Sequence, residues 1–226
     1  MLDHLLVDLI AAVRRSLDRA LLQRQAVEER FQVDVFLGDV SWETSYSLPG
    51  EEQPPRVRAD LSLDWPTWSQ TAYRSWSIGE PPEELPEVVV EVAVRIQRLA
   101  ERPAVERVLG VLPAETTALG AEPLVRTSTT VEEVYGDDGT GADEPAPAGG
   151  ATATARWAVE ATYEGSVRFD EGHLEDPSTV EPIVDSLTRW ISSTLVQLAD
   201  LPLSYLPPDP PGGRDVRDRH EPPEGR

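Results

Sequence analysis

The sequence contains no cysteine, no lysine and no asparagine in its 226 residues. Without cysteine the chain has no disulfide bond, no thiol nucleophile and no cysteine-ligated metal site. All 20 basic residues are therefore arginine. Because lysine and asparagine codons are A-rich, their absence indicates a GC-rich genome, and a halophilic source is the less favoured explanation.

Long apolar runs are also missing, and basic residues are scarce. No run approaches the roughly 18 apolar residues of a membrane-spanning helix, and no cationic region precedes an apolar stretch near the first residues. The 41 acidic and 20 basic side chains give a net charge of −21. Nucleic acids and anionic membranes bind clustered cations, so neither is an expected partner. We predict a soluble, cytoplasmic chain whose expected partner is another protein.

Motifs for nucleotide or metal chemistry are absent. No strand pattern is followed by a glycine-rich phosphate loop, and His4, His173 and His220 lack the spacing of metal ligands. The roles of general base and nucleophile would fall to carboxylates and hydroxyls. Asp60 and Asp64 share one face of a predicted strand, as half of a calcium site or a glycosidase-like pair would require. We favour a solvated outer face for this pair, and we predict no metal and no cofactor.

The clearest pattern in the chain is the alternation over residues 155–169. The apolar side chains on one parity are Trp157, Val159, Ala161, Tyr163, Val167 and Phe169, with Gly165 in the remaining slot. This alternation predicts a long strand with one buried and one solvated face. Similar patterns predict strands at 31–37, 40–48, 57–65, 68–78, 87–99 and 123–135, the first two joined by a turn at Gly38-Asp39. For 87–99 a helix is the alternative, and the β-branched content favours the strand.

Amphipathic helices are predicted at both ends of the chain. Residues 2–28 carry apolar side chains at three- and four-residue steps. The second helix opens at 176–178, where Ser178 and Glu181 have capping-box spacing. We expect both helices to cover the buried face of the sheet. A homodimer formed through the N-terminal helix is the alternative use of its apolar stripe.

Three segments rich in proline, glycine or acidic residues separate or follow these elements. Residues 79–85 form a proline-rich, acidic connection. Residues 136–150 contain five glycines and predict a mobile loop. Its four acids lack the spacing of a calcium-binding EF-hand loop. Residues 207–226 predict a disordered tail. The expected fold is α+β: one domain over 1–206, with an antiparallel sheet of about six or seven strands covered on one face by the terminal helices.

An aromatic cluster is the most distinctive feature outside the sheet pattern. Trp65, Trp68, Tyr73 and Trp76 lie within twelve residues, around an irregularity at Pro66. We favour a core role for the cluster. If Trp68 and Tyr73 face outward, they form an aromatic surface suited to a protein or ligand interface, so the four residues are the interaction candidates.

Three functions follow from these patterns. A non-catalytic adaptor or assembly component is favoured, because catalytic constellations are missing while the aromatic cluster and the acidic segments suit protein interactions. A helix-grip-like carrier that holds a small apolar ligand between sheet and helix is the alternative. A hydrolase using Asp60 and Asp64 ranks last.

Overall fold

A computed structural model describes residues 4–25, 29–34, 36–120, 122–135 and 155–208. The predicted loop 136–150 and all but the first two residues of the predicted tail 207–226 lie outside the described residues. The helices in the described part are α1 (His4–Arg19), α2 (Thr67–Ser77), α3 (Val105–Leu109), α4 (Glu171–Glu175) and α5 (Glu181–Ala199), with a 3₁₀ turn at Pro177–Val180. The strands are β1 (Gln23–Arg24), β2 (Arg30–Val33), β3 (Val40–Ser47), β4 (Val57–Trp65), β5 (Glu87–Leu99), β6 (Glu115–Leu119), β7 (Glu122–Tyr135) and β8 (Ala155–Arg168).

The strands form one antiparallel sheet in the order β1-β3-β4-β5-β8-β7-β6, and β2 also pairs with β3. Helices α1 and α5, near the two ends of the described chain, pack together and over one face. The predicted α+β class is therefore confirmed. Strands β4 and β5 have the bounds that their alternation predicts. Strands β2 and β3 form the predicted hairpin, but β2 ends at Val33, so the predicted strand at 31–37 is too long. The pair that closes the turn is Asp34 and Asp39, and Gly38, whose φ is 76°, lies within it.

The buried face of the sheet follows the alternation along the central strands. Val92 lies opposite Leu61 on β4 and opposite Tyr163 on β8, and all three side chains are buried. Their neighbours Glu91 and Glu164 lie on the other face, which helices α1 and α5 do not cover. Because a one-residue slip would move every apolar side chain to the solvated face, this burial fixes the register.

Helix α1 uses its apolar stripe inside the chain. Leu6, Val13 and Leu17 are buried in the same core as the sheet. The helix is also joined to α5 by polar contacts, since the Ser16 hydroxyl lies 2.6 Å from the Thr188 hydroxyl. The stripe that suggested a dimerisation helix therefore contacts the chain's own sheet and α5.

The predicted strand at 68–78 is wrong, because this segment is helix α2. Pro66 precedes the helix in an extended conformation, and Tyr73 and Trp76 project toward the core at helical spacing. The fully buried positions of the inner face are Ser69 and Gln70. Because these two buried residues are polar, the segment lacks the apolar residues at three- and four-residue steps that indicate a helix. The alternation of apolar and polar residues along 68–78 therefore led to the strand prediction.

The ends of the terminal helices also differ from the prediction. The N-terminal helix ends at Arg19, and the backbone reverses at Leu21, whose φ is 58°. At the other end, α4 and the 3₁₀ turn come before α5. The predicted capping box does not form, because the Asp176 side chain accepts from the Ser178 backbone N–H within the 3₁₀ turn. Strand β6 was missed.

Candidate functional site

The four aromatic candidates occupy different environments at one end of the sheet. Trp65 is 1% exposed and lies in the core, where its ring makes edge contacts with Tyr73 and Phe169, each at 6.2 Å between centroids. Trp76 stacks on Tyr73 at 6.1 Å. Tyr73 and Trp76 are partly buried against the core. These three side chains therefore attach α2 to the sheet, as the core interpretation predicted for them.

Polar contacts hold α2 at a defined position. The Gln70 side-chain amide donates to the carbonyl oxygens of Gly38, at 3.0 Å, and of Trp65, at 2.9 Å. The Ser69 hydroxyl lies 2.7 Å from both the backbone nitrogen and the carbonyl oxygen of Glu87. The helix is thus joined to the β2–β3 turn, to β4 and to β5. These hydrogen bonds fix the position of α2 and therefore the direction of its outer face.

Trp68 lies on that outer face and is 42% exposed. It borders a groove of about 550 Å³, one wall of which is the helix face that carries Thr71, Ala72 and Ser75. The other wall is the segment 80–84. Trp68 is thus the one member of the aromatic cluster with a large exposed surface.

The segment 80–84 is set beside α2 by the turn at the end of the helix. Gly79 has a φ of 84°, a conformation that glycine adopts without steric cost, and the Glu80 backbone N–H donates to the Ser75 carbonyl at 2.9 Å. Pro81 and Pro82 then restrict the backbone. The wall therefore has a restricted geometry although it has no regular secondary structure.

The groove combines an aromatic surface with negative charge. Glu80, Glu83 and Glu84 line it together with the Trp68 indole, and every carboxylate in the lining is on the 80–84 wall. An indole face attracts a cation through its quadrupole, and a carboxylate accepts charge-assisted hydrogen bonds from a guanidinium or an ammonium group. The arrangement is suited to an arginine or lysine side chain with an apolar neighbour.

No model of a known protein family matches the chain, and searches of curated proteins and of solved structures also return no match. The function of the groove is therefore inferred from its side chains and their geometry. None of the helices in the described ranges combines the length and the apolar character needed to cross a membrane.

The carboxylate pair considered for hydrolysis lies on the solvated face of β4. Asp60 accepts a hydrogen bond from the Ser45 hydroxyl and lies 3.2 Å from the Arg58 guanidinium. Asp64 accepts from the Ser62 hydroxyl at 3.3 Å. The ion pair with Arg58 agrees with the solvated-face interpretation. The hydrolase remains an untested prediction.

The titratable groups of that face form no metal cluster in the part of the chain that the structure describes. His4 lies in α1, and the Nδ1 atom of His173 is 2.8 Å from a carboxylate oxygen of Asp170 at the start of α4. Asp170 caps that helix by accepting from the His173 backbone N–H. His220 lies outside the described residues.

Like charges face one another at the centre of the solvated face. Glu91 on β5 lies directly opposite Glu164 on β8. Burial raises the pKa of Glu91, and the negative charges of Glu164, Asp64 and Glu43 raise it further. Like charges opposed across two strands are destabilising. The patch therefore opposes folding when its carboxylates are ionised.

Replacing Glu91 with glutamine is expected to stabilise the fold at neutral pH by about 0.2–1 kcal/mol. Because the folded-state pKa of Glu91 is raised, the free energy of unfolding falls as pH rises through that pKa. The gain in Glu91→Gln should therefore be present above the raised pKa and disappear below the ordinary value of 4.5. Urea unfolding at several pH values measures this, with exposed Glu101→Gln as the control. Lower stability of Glu91→Gln at neutral pH would contradict it.

The sequence patterns did not predict the helical wall of the groove. The other wall is part of the acidic, proline-rich connection predicted at 79–85. The strand predicted at 68–78 would place Trp68 and Ala72 on one side of a sheet and Ser75 on the other. Only a helix brings Trp68, Ala72 and Ser75 to one face beside the returning segment. The spacing of Trp68, Ala72 and Ser75, at steps of four and three residues, is the sequence pattern that indicates this shared helix face.

Proposed function

We propose that this chain is a non-catalytic, cytoplasmic interaction protein that binds a cationic segment of a protein partner between α2 and residues 80–84. The observation that carries the proposal is the exposed Trp68 indole in a groove whose carboxylates are Glu80, Glu83 and Glu84. Surface tryptophans are frequent energetic anchors of protein interfaces. The net charge of −21 favours encounter with a basic partner.

The expected binding mode places a guanidinium or ammonium group of the partner on the Trp68 indole. Such a cation–aromatic contact contributes about 0.5–1 kcal/mol at an exposed site and about 2 kcal/mol when water is excluded. Each exposed carboxylate adds about 0.2–1 kcal/mol. An apolar residue of the partner beside the cation would cover Ala72. These contributions are modest, so a recognised segment must use several of them together.

The carrier hypothesis has less support from the packing. A ligand held between the sheet and α5 would need a cavity there, but Tyr163, Ile191 and Leu195 fill the contact and are buried. The Tyr163 hydroxyl donates to the Pro113 carbonyl at 2.9 Å, and its ring lies 5.0 Å from that of Trp190. A carrier role would require these side chains to move apart.

The proposal is tested with a short peptide of alternating arginine and leucine, titrated into the full chain by isothermal calorimetry. Trp68→Ala should weaken binding about tenfold, which is about 1.4 kcal/mol, because it removes the aromatic surface. Val196→Ala removes an apolar side chain of similar exposure on α5 and should leave the affinity unchanged. The same peptide with citrulline in place of arginine keeps the shape without the charge and should bind at least tenfold more weakly.

The carboxylates are tested by charge removal at two sites. The double variant Glu83→Gln/Glu84→Gln should weaken peptide binding several-fold, whereas Glu101→Gln/Glu106→Gln, with the same loss of net charge at exposed positions, should not. Equal losses in the two double variants would mean that only the overall charge attracts the peptide. Equal affinity in wild type and Trp68→Ala would remove the groove as the binding site.

A further inference from the structure

Strand β2 is an outer strand of the sheet, and its outer edge pairs with no strand in the described part of the chain. Each of its four residues is exposed, and in the described part of the chain β2 pairs with β3 alone. Natural sheets protect such edges with short strands, charged side chains, proline, bulges or a covering segment, and β2 has only its short length and Arg30. Here the strand carries Phe31, which is 45% exposed, and Val33, which is 57% exposed. An open edge with apolar side chains is a site for pairing with another strand.

The direction of the backbone groups of β2 follows from its register with β3. The Asp34 backbone N–H donates to the Asp39 carbonyl at 2.8 Å, so this pair is hydrogen-bonded across the turn. Hydrogen-bonded pairs alternate along an antiparallel ladder. Gln32 and Arg30 therefore point their backbone groups toward β3, while Phe31 and Val33 point theirs away from the sheet.

The sequence of β2 is complementary to itself in one antiparallel register. When two copies are centred on Gln32, Phe31 of one copy lies opposite Val33 of the other. Both residues direct their backbone N–H and C=O groups outward, so they meet as a hydrogen-bonded pair. Arg30 of one copy then lies opposite Asp34 of the other, and opposite charges face each other at both ends. If one copy were shifted by one residue, outward-pointing backbone groups would lie opposite inward-pointing ones and the hydrogen bonds would be lost. If it were shifted by two residues, neither Arg30 would lie opposite an Asp34.

We propose that two copies of this chain associate through β2 in that register and form a two-fold symmetric dimer with one continuous sheet. The two-fold axis passes between the Gln32 residues. The self-complementary charges favour a second copy, since the same sequence in reverse places an acidic group opposite Arg30 and a basic group opposite Asp34. The Asp34 Oδ1 atom accepts from the Phe36 and Leu37 backbone N–H groups, so the carboxylate is held at the end of the strand. Two-fold symmetric dimers, whose interfaces are isologous, are the commonest homo-oligomers.

The overall charge sets the conditions under which the dimer forms. Each chain carries −21, so two copies repel at low salt. At physiological ionic strength the screening length is about 8 Å, which suppresses repulsion between distant charges more than the attraction between directly opposed groups. Association should therefore be measured near physiological salt, by sedimentation velocity from about 5 to about 500 µM chain.

Val33→Pro is the sharpest variant. Proline removes the backbone N–H of Val33, which points outward, and proline is tolerated at outer strands where no ladder hydrogen bond is lost. The fold should persist, as checked by circular dichroism and thermal unfolding, while the dissociation constant rises at least about tenfold. Arg30→Glu places like charges opposite each other at both ends and should weaken association by a similar factor, whereas Arg107→Glu, an exposed charge reversal on α3, should not.

Three outcomes overturn the proposal. Wild-type chain that sediments as a monomer across the whole concentration range has no such dimer. A dimer that survives both Val33→Pro and Arg30→Glu uses another surface. Loss of the dimer in Val7→Glu, with Val33→Pro unaffected, would instead assign it to α1, where Val7 is 43% exposed. Each result is independent of peptide binding in the groove between α2 and residues 80–84, the α2 groove.

Discussion

Val92→Lys is expected to leave the chain unfolded. Val92 is fully buried at the centre of the sheet, between Leu61 and Tyr163 on the neighbouring strands. A lysine at this position would place an unpaired ammonium group in the core, at a cost of at least about 4 kcal/mol. This is a large part of the roughly 5–15 kcal/mol that stabilises a typical domain. Far-ultraviolet circular dichroism and urea unfolding measure the loss.

Ala93→Lys is the matched control, one residue along the same strand. Ala93 lies on the solvated face between Asp60 on β4 and Thr162 on β8. A lysine there extends into solvent beside a carboxylate, so we expect a change within about 0.5 kcal/mol. Equal damage from both substitutions would contradict a sheet with one buried face, and tolerance of lysine at Val92 would contradict the register.

Gly165→Val is the second substitution with a large expected effect. An ideal Cβ on Gly165 would lie 2.8 Å from the Leu119 Cδ1 atom and 2.9 Å from the Pro123 carbonyl oxygen. The carbonyl is backbone and cannot rotate away as a flexible side chain can. Overpacking of this kind costs about 1–3 kcal/mol, and the upper part of that range is expected because valine adds two further methyl groups. Chemical denaturation measures the change in the free energy of unfolding.

Gly110→Ala separates close packing from the general effect of replacing glycine. Gly110 follows α3 in a right-handed helical conformation, and its nearest neighbours would lie 3.4 Å or more from a new Cβ. Alanine restricts the unfolded chain, so Gly110→Ala should be neutral or stabilising by up to about 1 kcal/mol. If Gly165→Val were as stable as Gly110→Ala, the close approach of β6 and β7 to β8 would be wrong.

The alternation of apolar and polar residues predicted the central strands because β4, β5 and β8 each have one clearly apolar face. The bounds of β4 follow from period two, and those of β5 follow from period two together with the β-branched content of 87–99. Gly165 lies on the apolar parity of β8, so its place on that face was predicted. The need for glycine there arises from close contacts with Leu119 and Pro123, which are distant in sequence. No local pattern shows that two other strands require space at this position.

The groove depends on a segment whose buried face is partly polar. Ser69 and Gln70 are buried because they form hydrogen bonds with the backbone of β5, β4 and the β2–β3 turn. These partners come together only in the folded chain, so the helix lacked a clear hydrophobic signal. The aromatic cluster was visible, but whether Trp68 was exposed depended on that helix and could not be read from spacing.

Two groups of carboxylates compete as sites for a cationic partner. The groove offers Glu80, Glu83 and Glu84 beside an aromatic surface, whereas the sheet offers Glu91 and Glu164, with Ser62 and the basic Arg58 beside Glu91. Charge alone does not distinguish the two groups. The exposed Trp68 indole favours the groove, because it provides apolar area and binds cations at the same place.

A nuclear magnetic resonance titration of the labelled full chain with the arginine–leucine peptide tests the function most directly. The predicted result is a shift of the Trp68 indole N–H signal together with the backbone amides of 71–75 and 80–84, with the signals of Glu91 and Glu164 unchanged. Shifts confined to Glu91, Glu164 and their strand neighbours, or no shift at Trp68 when the peptide is bound, would contradict recognition in the α2 groove.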